Sequence, residues 1–306
     1  MGKHVIVGAG QVGRQLGTLL LDQGHEVVQI SRSGSGAPGA QLIATNAADA
    51  DALIRAAKGA DALYNCVNPL YHRWPIDWPP MAASFLRTAE ATGAALIILG
   101  NLYGYGPVTG PMTEDLPLAS KGVKGRVRAE IWHRALAAHE AGRIRVTELR
   151  ASDYYGPGST DQAFLTNYVI IPTAQGKRAT VLSDPDIPHA WSYLPDVARA
   201  LAIAGTDERA WGRPWHVPTL PALSAREIAE RTARLAGARA PRITEIPGWL
   251  IRTMGVAWPL MREMRETRYQ FDRPFLLDSS AFETTFGLAP TPVDEAIKAT
   301  LSKVGG

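Results

Sequence analysis

The stretch HVIVGAGQVGRQLGTLLLDQG, residues 4 to 24, sets three glycines between an apolar run and an amphipathic one. HVIV reads as a buried strand, and Val12, Leu16, Leu19 and Leu20 share one helical face, so the stretch is one βα unit. Gly8, Gly10 and Gly13 fall in the turn between them. There glycine permits a tight turn and lets a pyrophosphate approach the N–H groups at the helix start. A GxGxxG pattern is weak alone; strand before and helix after give it meaning.

The same rhythm continues. EVVQIS (26–31), QLIA (41–44), DALYNCV (61–67), AALIILG (94–100) and RVTELR (145–150) are strand candidates separated by alanine-rich helical segments. Such repeats predict an α/β chain built on a doubly wound parallel sheet of the Rossmann type. Residues 1–160 are the expected dinucleotide-binding domain, with later strands also contributing. After residue 160 the alternation lapses into DQAFLTNYVIIPTAQG, two short strand candidates within 178–193 and a helix from Pro195. Ser224 and Glu227 have capping-box spacing and open a further helix. Tryptophan and proline crowd into 247–259, which suggests packed, irregular helical structure. Residues 161–306 are expected to form a smaller, mainly substrate-binding region interleaved with the Rossmann core.

Composition narrows the function classes. With 306 residues, 46% apolar and 20% charged, the chain has the balance of a globular protein, and no apolar run approaches membrane length. Its N-terminus enters a strand directly, which leaves no room for a signal segment and points to the cytoplasm. Cys66 is the only cysteine, excluding an intrachain disulfide and a cysteine-rich metal site; no metal is expected. The net charge of +3 is small, and basic residues lack the aromatic interleaving that binds single strands, so nucleic acid is not an expected partner. A small-molecule substrate is, and homodimerisation stays open.

The second strand ends in Ser31, Arg32 and Ser33, where a carboxylate would otherwise accept the adenosine ribose hydroxyls. A guanidinium flanked by hydroxyls suits a 2′-phosphate, so the expected cofactor is NADP(H). Gln11 and Val12 in the glycine turn, Asn46, Asn68 and Lys124 complete the expected cofactor set.

Several separated motifs carry a family resemblance. Besides VGAGQVG, LRASDYYGPG (149–158) looks like RxxNxYGPG, WSYLPDVARAL (191–201) like FxYVxDxAxA, and DSSAFETTFGLAP (278–290) like DxSKxxxxLGxxP. In these the chain resembles the extended and atypical short-chain dehydrogenase/reductases, the NAD-dependent epimerase/dehydratase-like group. The resemblance implies a Rossmann domain and a C-terminal substrate-capping region. It also implies a Ser or Thr ending the fifth strand, and a Tyr-x-x-x-Lys in which tyrosine donates a proton and lysine holds the nicotinamide ribose.

This chain departs from that set. Aligning Tyr105-Gly106 with the family's Tyr-Gly places Asn101 at the Ser/Thr position. Aligning Glu130 with the helix glutamate places Arg126 at the lysine and Gly122 at the tyrosine. Shifted registers offer Lys124 with Arg128, or Lys121, but SKGVKGRVRAE contains no tyrosine. Ligands of doubly wound sheets lie beyond the carboxyl ends of the strands, so the loops after the fourth, fifth and sixth strands should converge. Asn101, Tyr103 and Arg126 are the candidate catalytic residues, with Tyr103 the replacement proton donor. Tyr71, His72, Trp74, Tyr105, Tyr154 and Trp191 are candidates to line the substrate site.

The leading functional expectation is an NADPH-dependent reductase of a small carbonyl, enone or imine with a non-standard proton donor. An epimerase, isomerase or lyase without net redox, and a non-catalytic NADP-binding regulator, are the alternatives.

Overall fold

The computed structural model describes residues 1–159, 163–246 and 266–302. The chain divides into two units, the first comprising Met1–Gly104, Leu118–Ala151 and Val197–Val217, the second Tyr105–Pro117, Ser152–Asp196 and Pro218–Gly306.

The first unit runs β1 (Lys3–Val7), α1 (Gln11–Asp22), β2 (Glu26–Ser31), β3 (Gln41–Ala44), α2 (Ala50–Ala57) and β4 (Ala62–Asn65). It continues through α3 (Trp74–Thr92), β5 (Ala95–Asn101), α4 (Val123–Glu140) and β6 (Val146–Ala151). A seventh strand, Pro214–His216, returns from much later in the chain and pairs with β6. The sheet order is Pro214–His216, β6, β5, β4, β1, β2, β3, and every pairing is parallel. From β1 the chain steps out through β2 to β3 and then returns to β4 on the other side of β1. The strand order therefore reverses beside β1, and the crevice at that switch point is where ligands of such sheets bind.

Burial follows strand position. Six of the seven residues of β5, ALIILG, are buried, as a central strand covered on both faces requires. Edge strand β3 is largely exposed. Between sheet and helices pack Val5, Val28, Leu63, Leu96 and Val146 with Trp74, Trp78, Phe85 and Trp132. Asp49 caps α2 by accepting the Ala52 N–H at 3.0 Å.

Strands β5 and β6 each begin and end one residue later than the expected 94–100 and 145–150. Strand β4 stops at Asn65, so Cys66 lies just beyond it, half-buried, its thiol pushed up to about 12 by burial. Helix α3 begins at Trp74 and continues through Pro79 and Pro80. Its long packed face, with Trp78, Phe85 and Ala89 buried, outweighs the N–H groups that those prolines lack.

In the second unit Asp153–Tyr155 pairs parallel with Trp191–Tyr193, Pro188–His189 antiparallel with Leu223–Ser224, and Arg178–Val181 parallel with Arg242–Glu245. The helix expected from Pro195 spans Leu194–Thr206, and its residues from Val197 onward belong to the first unit. The capping box is present: Ser224 Oγ accepts the Glu227 N–H at 3.2 Å, and Glu227 Oε2 accepts the Ser224 N–H at 2.8 Å. Tyr155, Leu165, Val169, Trp191, Ile228 and Ile297 belong to this unit's core. The stretch 247–259 lies outside the described residues. Among the described residues no helix is long and apolar enough to cross a membrane.

Candidate active site

The glycine turn after β1 is shaped by contact at two positions and by open space at the third. Gly8 has φ +119°, and a Cβ there would lie 2.5 Å from the Cys66 carbonyl oxygen. At Gly13 a Cβ would lie 2.2 Å from the Gly8 oxygen. Both positions exclude a side chain because backbone occupies the space. A Cβ at Gly10 would meet nothing within 4 Å. Gly10 also precedes α1 as its N-cap, with no side-chain cap and no acid in the first turn. Open space and uncapped N–H groups at the start of a 12-residue helix fit a dinucleotide diphosphate.

Val12 is 4% exposed, so its side chain belongs to the core and its part in binding is confined to the backbone. Buried Gln29 holds the turn in place: its Nε2 donates to the Gly8 oxygen at 2.9 Å, and its Oε1 accepts the Ala37 N–H at 2.6 Å. Sequence reasoning missed Gln29. Its signal was a polar residue at an inward position of a buried strand.

At the end of β2, Ser31 Oγ donates to the Ser35 oxygen at 2.8 Å, Ser33 and Ser35 share a 2.8 Å hydrogen bond, and Arg32 is exposed. Paired hydrogen bonds from Arg73, at 2.6 and 2.8 Å, hold the Asp77 carboxyl below the usual carboxylate range, and the charges of Arg32 and His72 lower it further. Asn46, exposed, accepts the Ala48 N–H at 3.0 Å. Asn68 is exposed and Gln11 half-buried.

The loops following β4 and β5 meet. Tyr71, in the turn Tyr71–Arg73, and Tyr103 share a hydrogen bond of 3.0 Å between their hydroxyls. Asn101 Oδ1 accepts the Tyr103 N–H at 3.1 Å, which commits the carbonyl end of that amide to the turn and keeps Nδ2 as its donor end. His72 is exposed. Trp74 is fully buried and stacks on Tyr103 with ring centroids 6.0 Å apart. Trp74 thus packs beneath the two tyrosines.

Helix α4 separates the candidate residues of SKGVKGRVRAE by face. Its buried residues include Lys124, Arg128, Ile131, Trp132, Ala135 and Ala138, a stripe at helical spacing. Lys124, 2% exposed, sets its ammonium 5.6 Å from the Tyr71 ring centroid. Arg128 lies over Trp78 at 4.7 Å and donates to the Leu99 oxygen at 3.0 Å. Arg126, expected at the lysine position, is exposed and donates to the Lys121 carbonyl oxygen. Residues two apart on a helix point about 200° apart, so Arg126 faces away from the inward stripe that holds Lys124 and Arg128.

In the second unit Tyr154 is half-buried, Tyr105 is 3% exposed, and Trp191 is 8% exposed with its indole N–H donating to the Leu223 oxygen at 3.0 Å. His189, also buried, contacts the Trp191 ring at 4.2 Å and stacks on Phe271 at 5.0 Å. Its Nε2 meets Asp153 Oδ2 at 2.9 Å and its Nδ1 the Gln270 oxygen at 3.0 Å, so both ring nitrogens face acceptors. Asp153, missed in the sequence, stands at the asparagine of RxxNxYGPG. Among the described residues no group of three or more His, Cys, Asp or Glu could hold a metal ion.

The family model described as NAD dependent epimerase/dehydratase family matches residues 4–216. The chain belongs to the NAD-dependent epimerase/dehydratase family. Among curated relatives, it is 27% identical over 260 residues to a dTDP-6-deoxy-L-talose 4-dehydrogenase (NAD(P)(+)) of Kitasatospora kifunensis, covering 79% of this chain and 81% of that one. A dTDP-glucose 4,6-dehydratase of Streptomyces griseus is 25% identical over 181 residues, 59% of this chain and 49% of its own.

Among solved structures, the NAD complex of a Bacillus anthracis dTDP-glucose 4,6-dehydratase superposes with a TM-score of 0.80 at 15% identity, covering 100% of this chain and 97% of that one. The NAD complex of the Thermus thermophilus UDP-glucose 4-epimerase gives 0.79 at 17% identity, with 99% of each chain covered. Both likenesses establish the fold. The epimerase/dehydratase fold hosts many reactions, so the reaction must be argued from the site.

Proposed function

We propose that this chain binds NADP(H) at the glycine turn and reduces a small carbonyl, enone or imine substrate, with Tyr103 delivering the proton. The observation that carries this reading is the Asn101–Tyr103 turn at the carboxyl end of β5, with Tyr103 joined to Tyr71 at 3.0 Å. When bound, the nicotinamide supplies the hydride. This chain's residues do the rest. Asn101 Nδ2 polarises the reacting oxygen without titrating, and the Tyr103 hydroxyl protonates it. Lys124 and Arg128 are read as standing where the family's Tyr-x-x-x-Lys would be, and Arg126 takes no part.

The preference for NADP(H) is supported by exposed Arg32 among serine hydroxyls, with no acid at the end of β2. The talose dehydrogenase relative is named for both NAD and NADP, whereas the solved neighbours cited above hold NAD. The names of the relatives extend the candidate substrates to oxo groups on sugars. A second reading, epimerase or lyase chemistry with the cofactor retained, is favoured by the family's description and by the dehydratase relative.

Native mass spectrometry of the purified chain tests the cofactor, and nicotinamide absorbance with a panel of carbonyl compounds tests the reaction. Retained or added NADPH consumed in step with product supports reduction. Turnover at constant absorbance would move the assignment to the second reading, and absence of dinucleotide binding would overturn both.

A further inference from the structure

Lys124 is among the largest fully buried side chains of the described residues. Burying an ammonium costs several kcal/mol unless nearby groups compensate it. The rest of the inward stripe of α4 is filled by Arg128, Ile131, Trp132 and alanines. Geometry ties it to the tyrosines instead. Its ammonium faces the Tyr71 ring at 5.6 Å, and the Tyr71 hydroxyl lies 3.0 Å from that of Tyr103. Gly125 fixes this approach, because a Cβ there would lie 2.1 Å from Ser120 Oγ and 2.4 Å from the Tyr103 carbonyl oxygen. The Ser120 N–H donates to the Gly104 oxygen at 3.0 Å, binding the entry of α4 to the same loop. Fully buried Trp74 supports both phenols, its ring 5.2 Å from Tyr71 and 6.0 Å from Tyr103.

We propose that Tyr103, Tyr71 and Lys124 form a proton relay, with Tyr103 the catalytic residue and the other two positioning residues. The relay rests on the reading of Tyr103 as the group that protonates the substrate. As the Tyr103 O–H bond breaks, an O–H bond forms on the substrate oxygen. The Tyr71 proton then crosses to Tyr103, and the negative charge comes to rest on the Tyr71 phenolate beside the Lys124 ammonium. A solvent proton later returns to Tyr71. An ammonium against a phenol favours the phenolate, and in the resting state the aromatic face favours the ammonium.

A second buried cation adjoins the group: Arg128, one turn after Lys124, lies over Trp74 at 5.4 Å and Trp78 at 4.7 Å and donates to the Leu99 oxygen. Arg73 is paired with Asp77, and His72, Lys121 and Arg126 are exposed.

The test is carbon-13 NMR of the full chain with tyrosines labelled at the hydroxyl-bearing ring carbon, with Tyr71→Phe and Tyr103→Phe assigning the signals. In the wild type the Tyr71 signal is expected to titrate before the other resolved tyrosines. In Lys124→Met its midpoint should rise by about one pH unit or more, and Lys124→Arg should restore most of the difference. Thermal unfolding of each variant checks that it folds; if Lys124→Met does not, Lys124→Gln takes its place. An unchanged Tyr71 midpoint in a folded variant overturns the relay. With a substrate in hand, Tyr71→Phe should lower kcat about tenfold or more with KM unchanged. An altered titration without any turnover would leave the phenol–ammonium unit standing and remove the reductase reading. Loss of turnover in Tyr103→Phe with an unmoved Tyr71 titration would do the reverse.

Discussion

Tyr71 and Tyr103 are 32 positions apart in sequence and 3.0 Å apart at their hydroxyls. The parallel pairing of β4 with β5 brings this about, because neighbouring parallel strands release their loops at the same end of the sheet. A site assembled from two such loops can be dissected one residue at a time.

Asn101 spends its carbonyl oxygen on the Tyr103 turn, so its chemistry resides in the Nδ2 donor. Asn101→Ala should lower turnover roughly a hundredfold, as losing a donor aimed at developing charge does elsewhere. Cofactor affinity should change little. Steady-state kinetics together with calorimetric titration of NADPH checks both halves, and an equal loss in the two measurements would assign Asn101 to cofactor binding.

Arg32 is exposed at the end of β2 beside serine hydroxyls. Removing one charge-assisted contact costs about 1.5 to 3 kcal/mol. Arg32→Ala should therefore weaken NADPH roughly ten- to hundredfold and NADH little. Calorimetry with the two cofactors measures the difference, and a parallel loss for both speaks against a 2′-phosphate contact.

Glu148 and Arg150, both 2% exposed, form a 2.7 Å ion pair two residues apart on β6. Glu148→Leu removes the carboxylate partner of a buried guanidinium and should cost about 3 to 5 kcal/mol. The urea midpoint should fall with the slope unchanged. Glu148→Leu with Arg150→Met should recover most of the loss, because neither buried charge then remains.

Burial, and secondly the charge of His25, lower the pKa of His4 from 6.5 to about 4. His4 Nδ1 lies 3.0 Å from the Tyr64 hydroxyl, and Nε2 lies 3.0 Å from His25 Nδ1. Between pH 6.5 and 4 the unfolded chain binds a proton at His4 that the folded chain refuses. Stability from this group is thus complete above pH 6.5 and declines as the pH falls toward 4, by on the order of 2 kcal/mol. Chemical denaturation at pH 7 and pH 4.5 should show a smaller decline in His4→Gln, and an equal one would place the acid sensitivity elsewhere.

The strand and glycine pattern of the first unit was legible because each signal is local: EVVQIS and QLIA form strands with the expected ends, and Gly8 and Gly13 meet backbone where the motif requires glycine. The candidate site was less legible. Whether Tyr71 touches Tyr103 depends on how two loops leave the sheet, which no short-range pattern encodes. The burial of Trp74 was not legible either: prolines punctuate WPIDWPP, and only the packed face of α3 holds that stretch in a helix. The inward placing of Lys124 was legible in part, since its spacing to Arg128, Ile131 and Ala135 marks one helical face.

The pairing of Pro214–His216 with β6 has a consequence for how the chain can be cut or synthesised. Until residue 216 has left the ribosome, VTELRA has no neighbour on one side, and its free N–H and C=O groups can recruit a strand from another nascent copy. A fragment ending at residue 160 would keep that bare margin permanently. Co-expressing the remainder in trans, or permuting the termini so that the Pro214–His216 segment is made early, should do more for the yield of the sheet-bearing half than any substitution within it.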